Sequence, residues 1–143
     1  MADAAAAQVI EIARVYPAPR EAVWAAWTDP AQIAHWWGKR GWSTPPESVA
    51  IELRPGGVFR LDSVSDADGT VMRHDGTFRV VEPPARLEFA TDDSVATVTF
   101  TDVGAGRTEM VFRAELAMTD ATRARAEGGL ESAFDRLGEQ LGG

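Results

Sequence analysis

Cysteine is absent from the 143 residues, which excludes disulfides, thiolate metal sites and cysteine nucleophiles together. Histidine is scarce: His35 and His74 stand apart, and neither lies at metal-ligand spacing from another histidine. No stretch approaches the roughly 18 apolar residues needed to span a membrane as a helix. Basic residues number 14 against 22 acids, and the net charge of -8 would repel phosphate backbones and anionic lipid headgroups. No serine sits in a G-x-S-x-G elbow, and Gly56-Gly57 and Gly104-Ala105-Gly106 lack the strand-to-helix setting of a phosphate loop. Repeats, heptads and linkers are missing too. The expectation is one domain with no metal, no cofactor, no nucleic-acid partner and no membrane insertion.

What is present suffices for one core. Hydrophobic residues make up 45% and charged residues 25%, close to globular averages, and the length suits a single domain. At the N-terminus, Asp3 stands where a signal peptide carries positive charge, and the run Ala4 to Ala7 is too short for an apolar signal core. Residues 1–7 are therefore read as a frayed tail and 8–143 as the domain, with a cytoplasmic location expected.

The pattern begins with a β-branched strand, Val9 to Tyr16, stopped by Pro17. A helix follows Pro19 with Val23, Trp24 and Trp27 on one side, and Asp29-Pro30 opens a second, short helix carrying Ile33, Trp36 and Trp37. Lys39 to Pro46 reads as a loop bearing Trp42. From Glu47 the period changes to two: Val49, Ile51 and Leu53; Phe59, Leu61 and Ser63; Met72, His74, Gly76, Phe78 and Val80. Turns are expected at Arg54 to Gly57, Asp66 to Gly69, Glu82 to Pro84, Asp92-Asp93 and Gly104 to Gly106. Leu87 and Phe89 precede a strand at Val95 to Asp102, and the last strand alternates Met110, Phe112, Ala114, Leu116 and Met118. After Thr119-Asp120 a long helix presents Leu130, Phe134, Leu137 and Leu141 on one stripe.

One strand, two short helices, six strands and a long helix imply an α+β domain whose curved antiparallel sheet wraps around the C-terminal helix. A curved sheet cannot meet a straight helix along its whole length, so large side chains or a ligand must fill the gap. Five tryptophans and six phenylalanines are available to fill or line it. Gly128-Gly129 lies within the last helix, where each glycine costs about 1 kcal/mol relative to alanine, and so marks a candidate mouth.

Several short motifs carry a family likeness: Pro17-Ala18-Pro19-Arg20-Glu21-Ala22-Val23-Trp24, Thr28-Asp29-Pro30 leading to His35-Trp36-Trp37-Gly38, Leu53-Arg54-Pro55-Gly56-Gly57, Glu82-Pro83-Pro84-Ala85-Arg86-Leu87 and Asp135-Arg136-Leu137. In order and spacing they resemble the SRPBCC superfamily, START-like helix-grip proteins, and within it the branch similar to the C-terminal domain of the Hsp90 ATPase activator. The resemblance implies a helix-grip fold, β-α-α-β6-α, with a cavity between sheet and long helix used for lipids, polyketides and other hydrophobic ligands. It implies no single activity, since carriers, cyclases, hydrolases and chaperone regulators share the fold. Where the branch usually shows glycine followed by tryptophan in the last helix, this chain has Gly128-Gly129-Leu130.

The expected ligand-binding residues are those whose dry faces converge. From the helices these are Trp27, Trp36, Trp37, Gly129, Leu130 and Phe134, with Trp42 from the loop. From the strands they are Phe59, Met72, His74, Phe78, Phe89, Met110 and Phe112. His74 is the one imidazole on a dry face, able to hydrogen-bond a ligand or act as a base. The strand acids Glu11, Glu52, Asp75, Glu88, Glu109 and Glu115 fall on polar parity or near strand ends, so no catalytic residue is assigned. The leading expectation is a non-enzymatic binder or carrier of a small hydrophobic or aromatic molecule. The alternatives are a cavity enzyme acting through His74 on a polyketide-like or ester substrate, and a chaperone-regulating interaction module. Homodimer formation and a chaperone partner are compatible with these readings.

Overall fold

Pro17 and Pro19 separate the first strand from the first helix, as residues with fixed φ and no N–H to donate should. The computed structural model describes residues 6–91 and 94–142. Strand β1 runs Ala6–Tyr16, followed by helices α1 (Arg20–Thr28) and α2 (Pro30–Trp36). Asp29 caps α2 by accepting a 3.0 Å bond from the Ala31 N–H, with Pro30 in the first turn. Two short strands, β2 (Trp42–Ser43) and β3 (Ala50–Ile51), flank a 3-10 turn at Pro46–Ser48. The long strands are β4 (Val58–Ser65), β5 (Val71–Glu82), β6 (Arg86–Ala90), β7 (Ser94–Gly104) and β8 (Arg107–Met118), and α3 (Asp120–Gln140) ends the fold.

The sheet is antiparallel in the order β1-β8-β7-β6-β5-β4-β2, with β3 also on β4. Hairpins account for β4 to β8. The union of β1 with β8, from Ala6↔Met118 to Tyr16↔Thr108, joins the two ends of the chain. Inward positions Phe59, Leu61, Leu87, Phe89, Val98, Phe100, Met110 and Phe112 are buried in one core together with Ala133, Phe134 and Leu137 of α3. Each such large apolar side chain contributes about 1.5–3 kcal/mol.

This is the expected α+β, β-α-α-β6-α arrangement, with local departures. Ala6 and Ala7, read as part of the tail, already pair with Met118 and Ala117. Trp42, placed in a loop, belongs to β2 and pairs with Ser65. The strand expected through Leu53 stops at Ile51, because the Arg54 N–H turns back onto the Glu52 carbonyl at 2.8 Å, and Leu53 is exposed. Gly57 completes that turn in a space no side chain could share: a Cβ there would lie 2.1 Å from the Glu52 carbonyl oxygen. On β5 a bulge between Phe78 and Val80 reverses the parity, so Val80 pairs with Glu88 while Val81 takes the inward place opposite buried Leu87. The turn expected at Asp92-Asp93 lies outside the described residues.

Candidate functional site

Trp27 of α1 stands at the centre of the aromatic residues and is 1% exposed. Its indole N–H points at Met110 Sδ, 3.3 Å away. Ring centroids of Trp36, Trp37, Phe134, Phe89 and Phe112 lie 4.8, 6.0, 6.2, 6.4 and 6.4 Å from it. Phe59 stacks on Phe89 at 4.7 Å and meets Phe78 edge-on at 5.6 Å. Trp27, Trp36, Phe59, Phe78, Phe89, Met110, Phe112 and Phe134 are thus brought together as expected, but chiefly as one another's packing partners. At this level of the fold, interlocked rings fill the space between sheet and helices.

Helix α3 is held differently along its two halves. Toward its C-terminus the Tyr16 hydroxyl donates to the Phe134 carbonyl at 2.9 Å, and Arg14 pairs with Asp135 at 2.6 Å. A Cβ at Gly138 would lie 3.3 Å from the Tyr16 ring, so helix and strand are in close contact there. Toward its N-terminus the packing opens. The chain reverses at Thr119, so α3 runs back over the sheet: Arg123 reaches the Val9 carbonyl at 3.3 Å and Phe134 reaches Phe112, with centroids 5.6 Å apart. Gly129 lies one turn before buried Ala133 on the same face and is itself partly buried. Yet the position of its missing Cβ has no atom within 4 Å. Leu130, Ala126 and Leu116 nearby are only half-buried. Gly128 also meets nothing, but it is exposed. The two glycines treated as one feature are therefore different: Gly129 is partly buried beside open space and Gly128 faces solvent.

A polar pair lies on the inward side of β4 and β5. Pairing of β5 with β6 starts at Thr77, so Val71 to Gly76 project beside β4 alone. On the inward side of this projection His74 stands opposite Leu61, and Met72 opposite Ser63. Met72 has the anticipated parity but is 53% exposed, since the hairpin outruns its cover; its assignment to a dry face is corrected. The His74 Nε2 lies 3.3 Å from the Ser63 Oγ, and its ring meets Trp37 edge-on with centroids 5.5 Å apart. Burial pushes the His74 pKa below the usual imidazole value, opposed by the negative charge of Asp62, so the ring is neutral near pH 7. Ser63, 4% exposed, takes the inward parity that the alternation with Phe59 and Leu61 indicates, but it is not among the expected binding residues. Trp42 is half-buried under the ammonium of Lys39, 5.6 Å from its ring centroid.

Arg136 fastens the end of α2 and the loop after it to α3. Its Nη1 donates toward the carbonyls of Trp37, Gly38 and Trp42 at 3.4, 3.0 and 3.2 Å, and its Nη2 donates to that of His35 at 3.0 Å. A guanidinium suits this place, because the last carbonyls of α2 have no helical donor and carry partial negative charge. Burial and the nearby Arg40 charge lower its pKa, though a guanidinium stays charged. The Arg40 N–H donates to Ser132 Oγ at 3.0 Å, a second tie between the same loop and α3.

Residues 17–142 match the family described as Activator of Hsp90 ATPase homolog 1-like protein. The chain belongs to this family. Among solved structures it is similar to a Chromobacterium violaceum protein, with TM-score 0.81, 21% identity, and 93% of this chain and 96% of the other covered. The AHSA1 protein of Silicibacter pomeroyi gives TM-score 0.81 at 21% identity, with 94% and 98% covered. Both likenesses show the fold alone. An AHSA1-like protein of Aeromonas hydrophila, known from a solution structure, is 27% identical over 93% of this chain and 94% of that one, with TM-score 0.75. Among curated proteins, none matches.

In this member of the Hsp90-activator-like family, the described residues contain no group of three or more side chains suited to a metal ion. No helix among them is long and apolar enough to cross a membrane. Convex-face charges pair across strands: Arg60 with Asp75 at 2.5 Å and Asp62 with Arg73 at 3.0 Å. Glu88, one of the strand acids placed on polar parity or near a strand end, is largely covered and sits between Arg79 and Arg86. Among the described residues, the polar chemistry on the inward side of β4 and β5 is one neutral hydrogen-bonding pair, Ser63 and His74.

Proposed function

We propose that this protein has a recess beneath the N-terminal half of α3 and binds a small hydrophobic or aromatic molecule there, as a carrier without turnover. The observation that carries the reading is Gly129: an inward position of the helix has unfilled space where Gly138, further along, is in contact. Half-buried Leu130, Leu116 and Trp37 supply apolar walls. A net charge of -8 favours a neutral ligand over an anionic one.

The test is fluorescence titration with the neutral probe N-phenyl-1-naphthylamine. Gly129→Leu should fill the recess and weaken binding about tenfold or more, while Gly128→Leu should leave it unchanged. Both variants should retain stability, because leucine is the better helix former. No binding by the wild-type chain, or equal binding by both variants, would overturn the proposal. Family membership supports a second reading, regulation of an Hsp90-type chaperone. Its test is whether the chain changes the ATPase rate of such a chaperone.

A further inference from the structure

The Ser63 hydroxyl is buried, and among the described residues its one hydrogen-bond partner is His74 Nε2. A buried hydroxyl with a single partner donates to it, since the alternative leaves an O–H unpaired in an apolar setting. That fixes the neutral imidazole as the tautomer protonated at Nδ1. The Nδ1–H has no protein acceptor of its own among the described residues. It is not sealed inside the protein either, because every buried side-chain nitrogen or oxygen among those residues has a partner. A lone donor therefore reaches open space on the inward face of β5, beside the half-buried Trp37 and next to the exposed Met72.

We infer that Ser63 and His74 form a hydrogen-bond donor site for a carbonyl oxygen, so that the inward face of β5 beside Trp37 selects hydrophobic molecules bearing a ketone, ester or amide. Ser63 acts as a positioning residue: it accepts no ligand contact but holds Nε2 unprotonated and Nδ1 as the donor. Trp37, edge-on to the imidazole, limits its rotation and offers a ring against which the apolar part of such a molecule can lie. The inference rests on the recess being a binding site, and the experiment separates the two.

Equilibrium dialysis of the full chain with 2-acetylnaphthalene and 2-ethylnaphthalene compares a carbonyl with its hydrocarbon counterpart. The wild type should hold the ketone about three- to tenfold more tightly, the range for one net hydrogen bond. His74→Phe should abolish that preference and keep hydrocarbon binding; Ser63→Ala, which frees the tautomer, should reduce the preference. Equal binding of both molecules by the wild type overturns the donor site and leaves the recess reading intact. Binding of neither overturns both. Nitrogen-15 NMR of the His74 ring in the free protein above pH 7 gives a readout that needs no variant: a proton on Nδ1 is expected, and a proton on Nε2 would overturn the inference.

Discussion

The Tyr16 hydroxyl donates a 2.9 Å hydrogen bond to the Phe134 carbonyl, joining the end of β1 to the middle of α3 across 118 residues of sequence. The same ring lies against Gly138, so one side chain sets both the height and the rotation of the helix over the sheet. Burial pushes the phenol pKa far above its ordinary value, which means the neutral hydroxyl is the form the fold selects.

Tyr16→Phe should keep the ring packing and lose the bond, costing about 1 kcal/mol of stability. Urea unfolding checks this: the midpoint should fall with the slope unchanged. Tyr16 is the sole tyrosine, so tyrosinate absorbance in the wild type reports on this site alone. Its folded pKa is raised, so the contribution is complete below the ordinary value near 10 and is lost as pH rises above it. Absorbance should therefore appear together with alkaline unfolding. Tyrosinate formed in a still-folded chain would contradict the burial described.

Arg136→Lys should destabilise the protein by about 1–2 kcal/mol although charge is conserved. One ammonium cannot serve the carbonyls of His35, Trp37, Gly38 and Trp42 that the guanidinium fork reaches. Hydrogen exchange of the 37–42 amides should quicken in the variant while amides of the β1–β8 pair stay protected. Uniform quickening through the sheet would instead mark a global role for the arginine.

His74 predicts a pH dependence on the acid side. Its folded pKa is depressed, so between that value and the unfolded value near 6.5 the unfolded chain binds more protons, and stability falls as pH falls through the window. His74→Phe should remove this component, seen as a flatter midpoint-versus-pH curve from about pH 7 downward. Curves of equal slope for both proteins would mean that the imidazole is solvated.

Much of the fold is written in local pattern. Proline positions, the Asp29 cap, the hairpin turns and the alternation Met110, Phe112, Ala114 depend on φ preferences and on a period-two or 3.6-residue rhythm, which neighbouring residues determine by themselves. The parity of β5 was misjudged beyond Phe78 because a bulge depends on the pairing with β6, a matter of two strands. Composition and pattern likewise revealed that aromatic residues converge. They could not reveal that Trp27, Trp36 and Phe134 mostly fill the space they were expected to line, for packing depends on distances between residues far apart in sequence. Gly128 and Gly129 are equivalent in the sequence, and only the rotation of α3, set by contacts such as Tyr16 with Phe134 and Arg136 with the carbonyls of His35 and Gly38, turns one to solvent and leaves the other partly buried beside open space. His74 shows the same division: its strand parity is local information. Its bond to Ser63 and the freedom of its second nitrogen exist because β5 lies beside β4 and outruns β6, a relationship made only when the sheet is assembled.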